Sequence, residues 1–130
     1  MRRKQTPQIP EKPAVTAEML AGTIAEAMSA KKGVDILILD MRRLPNRVAE
    51  FFVICGATSV TQAEALADHI EVFARAECGM KPVHVEGLQQ RQWVLLDYFD
   101  VVAHIFTGPS RSFFRLEELW ADAEVTRMEA

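Results

Sequence analysis

The sequence predicts an α/β domain: a mixed sheet of about five strands with three helices. Short apolar runs bounded by turn signals recur at Val34–Leu39, Phe51–Cys55, Lys81–Val85, Trp93–Leu96 and Val101–Phe106. Between and around them, residues 16–31, 61–78 and 110–120 carry apolar side chains at helical spacing instead. The resulting order is helix, strand, strand, helix, strand, strand, strand, helix, with no internal repeat.

The elements are justified in turn. Residues 1–14 hold Pro7, Pro10 and Pro13 and show no apolar period, which predicts a flexible tail ahead of a domain over 15–121, with 122–130 as a C-terminal tail. Thr16 can cap a helix running to about Lys31, in which Leu20, Ile24 and Met28 form one stripe, with Gly33 just past its end. Strand Val34–Leu39 follows. Leu44-Pro45-Asn46 and the charges Arg42, Arg43 and Arg47 separate it from strand Phe51–Cys55.

Gly56-Ala57-Thr58-Ser59 leads into two overlapping capping boxes, Ser59 with Gln62 and Thr61 with Glu64, which announce a helix and leave its register open. Leu66, Ile70 and Phe73 face one way along that helix, and Gly79 supplies a terminating glycine. Lys81–Val85 resumes extended structure, so the second strand, this helix and the third strand are expected to form a right-handed crossover with parallel strands. Gly87 sets the turn of the loop Glu86–Gln92.

Trp93–Trp120 reads as a hairpin followed by a helix that begins after Gly108-Pro109 and carries Leu116, Leu119 and Trp120. Because strand side chains alternate, Trp93, Leu95 and Asp97 share one face while Val94, Leu96 and Tyr98 share the other. Both faces are apolar. Such a strand belongs in a sheet covered on both sides, by its own helices or by a partner. A sheet about 20–24 Å wide needs roughly four helices at ~10 Å each to cover both faces. With three, part of an apolar face is expected to lie bare for a partner or for a second copy of the chain.

Composition limits the function. With 130 residues, 49% of them apolar, the chain can bury a core as one domain. No run approaches the ~18–20 apolar residues that cross a bilayer, and the N-terminus has charge without an apolar stretch, so a soluble cytoplasmic protein is expected. Cys55 and Cys78 form no CxxC pair and read as ordinary thiols of a reducing compartment. The first twelve residues carry a net +3 and the remaining 118 a net −6. An acidic body is a poor footprint for backbone phosphates, and it suits a basic protein partner better.

Two chemical readings compete with simple binding. The passage Gly56-Ala57-Thr58-Ser59 could present backbone N–H groups to a phosphate at a helix N-terminus, but capping explains the same hydroxyls and no GxGxxG or P-loop accompanies it. Asp97 and Asp100 could bind a metal as a carboxylate pair, or simply form the hairpin turn. His84 and His104 each lie among apolar strand residues, where pairing with Cys55 or an aspartate is conceivable and a hydrogen-bonded structural role is the plainer account. His69, beside Asp68 on a helix, reads as a surface residue.

An ordered set of residues resembles the ribosomal silencing factor family, also called RsfS or Iojap. The set comprises Phe51-Phe52-Val53-Ile54-Cys55, Thr58-Ser59 with Gln62, Ala67-Asp68-His69-Ile70, Glu86-Gly87, Trp93 to Tyr98, Asp100-Val101-Val102 with His104, Arg111, and Leu116 to Trp120. The resemblance implies a nucleotidyltransferase-like α/β fold without that fold's catalytic motif, no cofactor, and a translation repressor rather than an enzyme. It also implies a partner, large-subunit ribosomal protein fourteen, bound where the small subunit would dock. Carried over residue by residue, it marks Trp93, Asp97, Tyr98, Asp100, His104, Arg111, Glu117 and Trp120. With Leu95 added from the shared strand face, Trp93, Leu95, Asp97, Tyr98, Asp100, His104 and Arg111 form the expected partner-binding set, Trp93 and Tyr98 as apolar anchors. Phe99 stands where the family usually has glycine, at a position suited to positive φ. The alternative to this binding module is a small nucleotide- or metal-dependent enzyme using Ser59, Asp97 and Asp100.

Overall fold

In the computed structural model, residues 14–45, 47–108 and 123–128 are described. They form α1 (Ala17–Ala30), β1 (Val34–Asp40), β2 (Phe51–Ala57), α2 (Val60–Cys78), β3 (His84–Glu86), β4 (Trp93–Asp97), β5 (Val101–Thr107) and β6 (Glu124–Arg127). The strands make one six-stranded mixed sheet in the order β3-β4-β5-β2-β1-β6. Only the central β2–β5 pair is parallel, Phe51 opposite Val101 through Ala57 opposite Thr107; the other neighbours are antiparallel.

The expected α/β class holds, with differences in detail. A sixth strand arises in the segment expected to be a C-terminal tail, where Glu124–Arg127 pairs with Leu37–Asp40 of β1. The third expected helix, with Arg111, Leu116 and Trp120, lies outside the described residues, as does the expected tail up to residue 13. The crossover from β2 through α2 to β3 does return the chain in the direction of β2, as the intervening pairings require. The two strands are not neighbours, however, because the β4–β5 hairpin lies between them.

Helix ends follow from local chemistry. Thr16 caps α1 by accepting the Met19 N–H. At its far end the left-handed residue is Lys32 (φ 63°), not Gly33. Gly33 is small for another reason: a Cβ there would lie 3.1 Å from the Cys55 Sγ and 3.1 Å from the Met28 carbonyl. For α2 the register is set by Ser59, whose Oγ accepts the Gln62 N–H at 3.0 Å, and the helix ends on left-handed Gly79. Gln62 then acts twice more. Its Oε1 accepts from the Thr58 N–H and hydroxyl, and its Nε2 donates across the chain to the Lys31 and Lys32 carbonyls at 3.1 and 3.0 Å.

Both helices pack on one face of the sheet. Leu20, Ile24 and Met28 of α1 and Leu66 and Ile70 of α2 join Val53, Cys55, Val94, Leu96, Tyr98, Ala103 and Ile105 in one core cluster. On the opposite face Leu37, Leu39, Met41, Phe52, Ile54, Val102 and Phe106 form a second cluster. The expectation of a bare apolar face is therefore corrected: Leu37, Leu39, Met41 and Ile54 are fully buried. What stays open on that side is narrower: Val125 at the β6 edge, and Trp93 on the β4–β5 hairpin.

The Gln62 clamp yields a prediction. Replacing Gln62 by alanine leaves the Lys31 and Lys32 carbonyls just past α1 and the Thr58 donors to water, and is expected to lower the urea-unfolding free energy by about 0.5–1.5 kcal/mol.

Candidate functional site

Pairing decides what the hairpin presents. Trp93 lies opposite Phe106, Leu95 opposite His104 and Asp97 opposite Val102. These residues point to the face away from the helices, where His104 sits in a row with Leu95, Ile54 and Leu37 across the four inner strands. Val94, Leu96 and Tyr98 point the other way, into the helix-covered core.

The two expected anchors thus separate. Trp93 is 47% exposed and rests on Phe106, ring centroids 5.2 Å apart. Tyr98 is 2% exposed, its hydroxyl has no hydrogen-bond partner, and burial pushes the phenol pKa up. Tyr98 is a core residue, which removes it as an exposed anchor. Leu95 is half-buried against the second cluster.

His104 is 3% exposed, so it does not offer itself to a partner. It pairs neither with Cys55, which faces the helices, nor with an aspartate. Its Nδ1 accepts the indole N–H of Trp93 at 3.0 Å, and its ring meets Phe52 edge-on with centroids 4.6 Å apart. Burial lowers its pKa to about 4. Strand register alone explains the Trp93 contact: the two are diagonal neighbours across an antiparallel pair, a separation that aromatic side chains span.

The hairpin tip adds a surface that sequence reasoning only partly foresaw. Phe99 has φ 77° and is 75% exposed. The Asp100 N–H donates to the Tyr98 carbonyl at 3.0 Å, closing a γ-turn around Phe99, and the Phe99 N–H donates to Asp97 Oδ1 at 2.7 Å. The Asp100 carbonyl in turn accepts the Glu50 and Phe51 N–H groups, tying the tip to the loop before β2. Beside the ring, exposed Val48 helps line a cleft of about 170 Å³ with Arg47, Ala49, Glu50 and Asp100. At the other end of β4, Gly87 (φ 88°) must be glycine, because a Cβ would lie 2.0 Å from the Trp93 carbonyl oxygen.

Two residues of the chemical alternative, Asp97 and Ser59, have structural partners. Asp97 spends a carboxylate oxygen on the turn, Ser59 caps α2, Thr58 donates to the Gln62 side chain, and among the described residues no three His, Cys, Asp or Glu side chains converge as a metal site. Among them, too, no helix is long and apolar enough to cross a membrane. Arg111 lies outside the described residues.

With this geometry in hand, comparison with known proteins decides the family. The model for "Ribosomal silencing factor during starvation" matches residues 14–130. The chain belongs to the ribosomal silencing factor family. A family member from Bacillus subtilis is 39% identical over 105 residues, which cover 81% of this chain and 87% of that protein. Another, from Halalkalibacterium halodurans, is 36% identical over 79% of this chain and 86% of its own. The chloroplastic Iojap protein of maize is 34% identical over 79% of this chain and 44% of its own length. Among solved structures, one from Chromobacterium violaceum superposes with a TM-score of 0.75 at 28% identity, covering 89% of this chain and 95% of that one. One from Bacillus halodurans gives 0.71 at 30% identity, covering 87% and 99%. The bacterial relatives carry the name of a silencing factor, a regulatory role and not an enzyme's.

Two predictions follow from the hairpin. The folded His104 pKa lies below the ordinary 6.5, so the unfolded chain takes up the proton first and stability falls as pH drops from 6.5 towards 4. Urea unfolding at pH 7.5 and pH 5 should show wild type losing about 2 kcal/mol more than His104→Leu across that step. Phe99→Gly should raise stability by about 0.5–1 kcal/mol, because relief of the left-handed backbone outweighs the added chain entropy, as a paired urea titration would show.

Proposed function

We propose that this protein is a cytoplasmic translation repressor that binds the large ribosomal subunit through ribosomal protein fourteen and, by occupying that face, keeps the small subunit from joining. The observation that carries the reading is the family match over residues 14–130. The geometry supports a location for the contact: the exposed ring of Trp93, the half-buried Leu95, and the acids Asp97 and Asp100 lie along one hairpin that ends in exposed Phe99. Tyr98 and His104 support that strip from within, and Arg111 belongs to the expected set on the resemblance alone. A body of net −6 outside the first twelve residues favours a basic partner surface.

Occlusion needs no reaction. An interface of ordinary size, about 1,600 Å² in total, excludes a competing surface without a catalytic group. The protein is accordingly a binding factor, with no cofactor in its mechanism.

Sedimentation with isolated large subunits tests this. Wild type should pellet with them at moderate salt and lower the yield of joined ribosomes. Trp93→Ala, which removes a half-exposed ring and also uncovers Phe106 and the Nδ1 of His104, should weaken binding about 30-fold, equivalent to about 2 kcal/mol, in a variant that circular dichroism and urea unfolding show to be folded. Absence of wild-type co-sedimentation, or undiminished subunit joining, would overturn the reading.

A further inference from the structure

A histidine at position 104 is an odd choice for its surroundings. It is buried, it lies in line with Leu95, Ile54 and Leu37, and the rings of Phe52, Phe106 and Trp93 enclose it. An indole N–H can only donate, so the Nδ1 that receives it is unprotonated and the histidine's own proton sits on Nε2. That Nε2 is buried without a hydrogen-bond partner, an unfavourable arrangement that a leucine in the same row would avoid. What the imidazole supplies, and an aliphatic side chain does not, is an acceptor for Trp93.

The indole has something to gain from it. Trp93 stands half out of the sheet with Phe106 stacked on one side, and a ring so placed has several staggered orientations open to it. Stacking fixes the plane, and the bond to Nδ1 fixes which edge points inward.

The geometry points to His104 as a positioning residue, one that holds the Trp93 indole by its N–H so that a partner meets the ring's open face and not its polar edge. The inference deepens the proposed ribosome contact and rests on it for its binding consequence. It also restricts the partner: a carbonyl or carboxylate aimed at this ring finds its donor already taken, whereas a side chain that packs flat on an indole fits.

The emission test uses the full chain in a Trp120→Phe background, which leaves Trp93 as the sole tryptophan of the sequence's two, and the binding test uses the chain with Trp120 in place. His104→Asn keeps an acceptor, its Oδ1 near the place of Nδ1, and His104→Leu removes it. Freed from its acceptor in the leucine variant, Trp93 should emit further to the red and be quenched more by acrylamide, while the asparagine variant stays close to wild type. In large-subunit sedimentation, His104→Leu should weaken binding about tenfold and His104→Asn less than about threefold; in a Trp93→Phe background, where no indole N–H exists, His104→Leu should add less than about twofold. A purely structural histidine would give equal losses in both backgrounds and leave the emission unchanged, and either result overturns the assignment. Should wild type fail to bind large subunits at all, the ribosome reading falls, and the emission comparison still decides whether His104 holds the ring.

Discussion

The burial of both faces of β5 is the constraint from which the rest of this molecule follows. Val101 to Phe106 are all buried, and in a strand successive side chains face opposite ways. Each face of the central pair β2–β5 must therefore be covered, and the parallel pairing of those two strands is the arrangement in which double coverage is usual. α1 and α2 close one side, and Cys55, Ala103 and Ile105 lie beneath them. On the other side Ile54, His104 and Phe106 are equally closed. Exposure returns as the sheet runs outward, to β6 at one edge and to β4 at the other, and that gradient is what leaves Trp93 half open above a sealed histidine.

Much of this was legible in the residues. Capping chemistry locates α1 through Thr16, and period-two alternation by itself separates Trp93 from Tyr98. What alternation could not say is which face the helices take, so the assignment of Tyr98 to the core and Trp93 to the surface had to come from packing. The sixth strand was illegible for a different reason. Glu124-Val125-Thr126-Arg127 is short, exposed throughout and half charged, and it is a strand because β1 offers an edge, not because its own pattern demands one. Likewise the chain direction of β3 could be read, but not its place beyond the hairpin, since strand order is set by contacts far apart in sequence.

The site shows the same division. Asp97 and Asp100 behave as turn residues, as their type and position suggested, while the link from Trp93 to His104 depends on the β4–β5 register and has no signature along the chain. Phe99 is the instructive exception. A positive φ was expected at its position, and the chain adopts it with a bulky side chain that remains in solvent. Strain kept in an exposed aromatic at the end of the candidate contact strip is the kind of feature that clusters at functional surfaces.

The central claim is that Trp93, on the face away from the helices, is the ring a ribosomal partner covers. Hydroxyl-radical footprinting read by mass spectrometry, on the protein alone and bound to large subunits, tests it most directly. Trp93 should lose most of its oxidation on binding while exposed Met19, on the outer side of α1, keeps its own. Equal oxidation of Trp93 in the free and bound protein, or protection of Met19 in its place, would contradict the account.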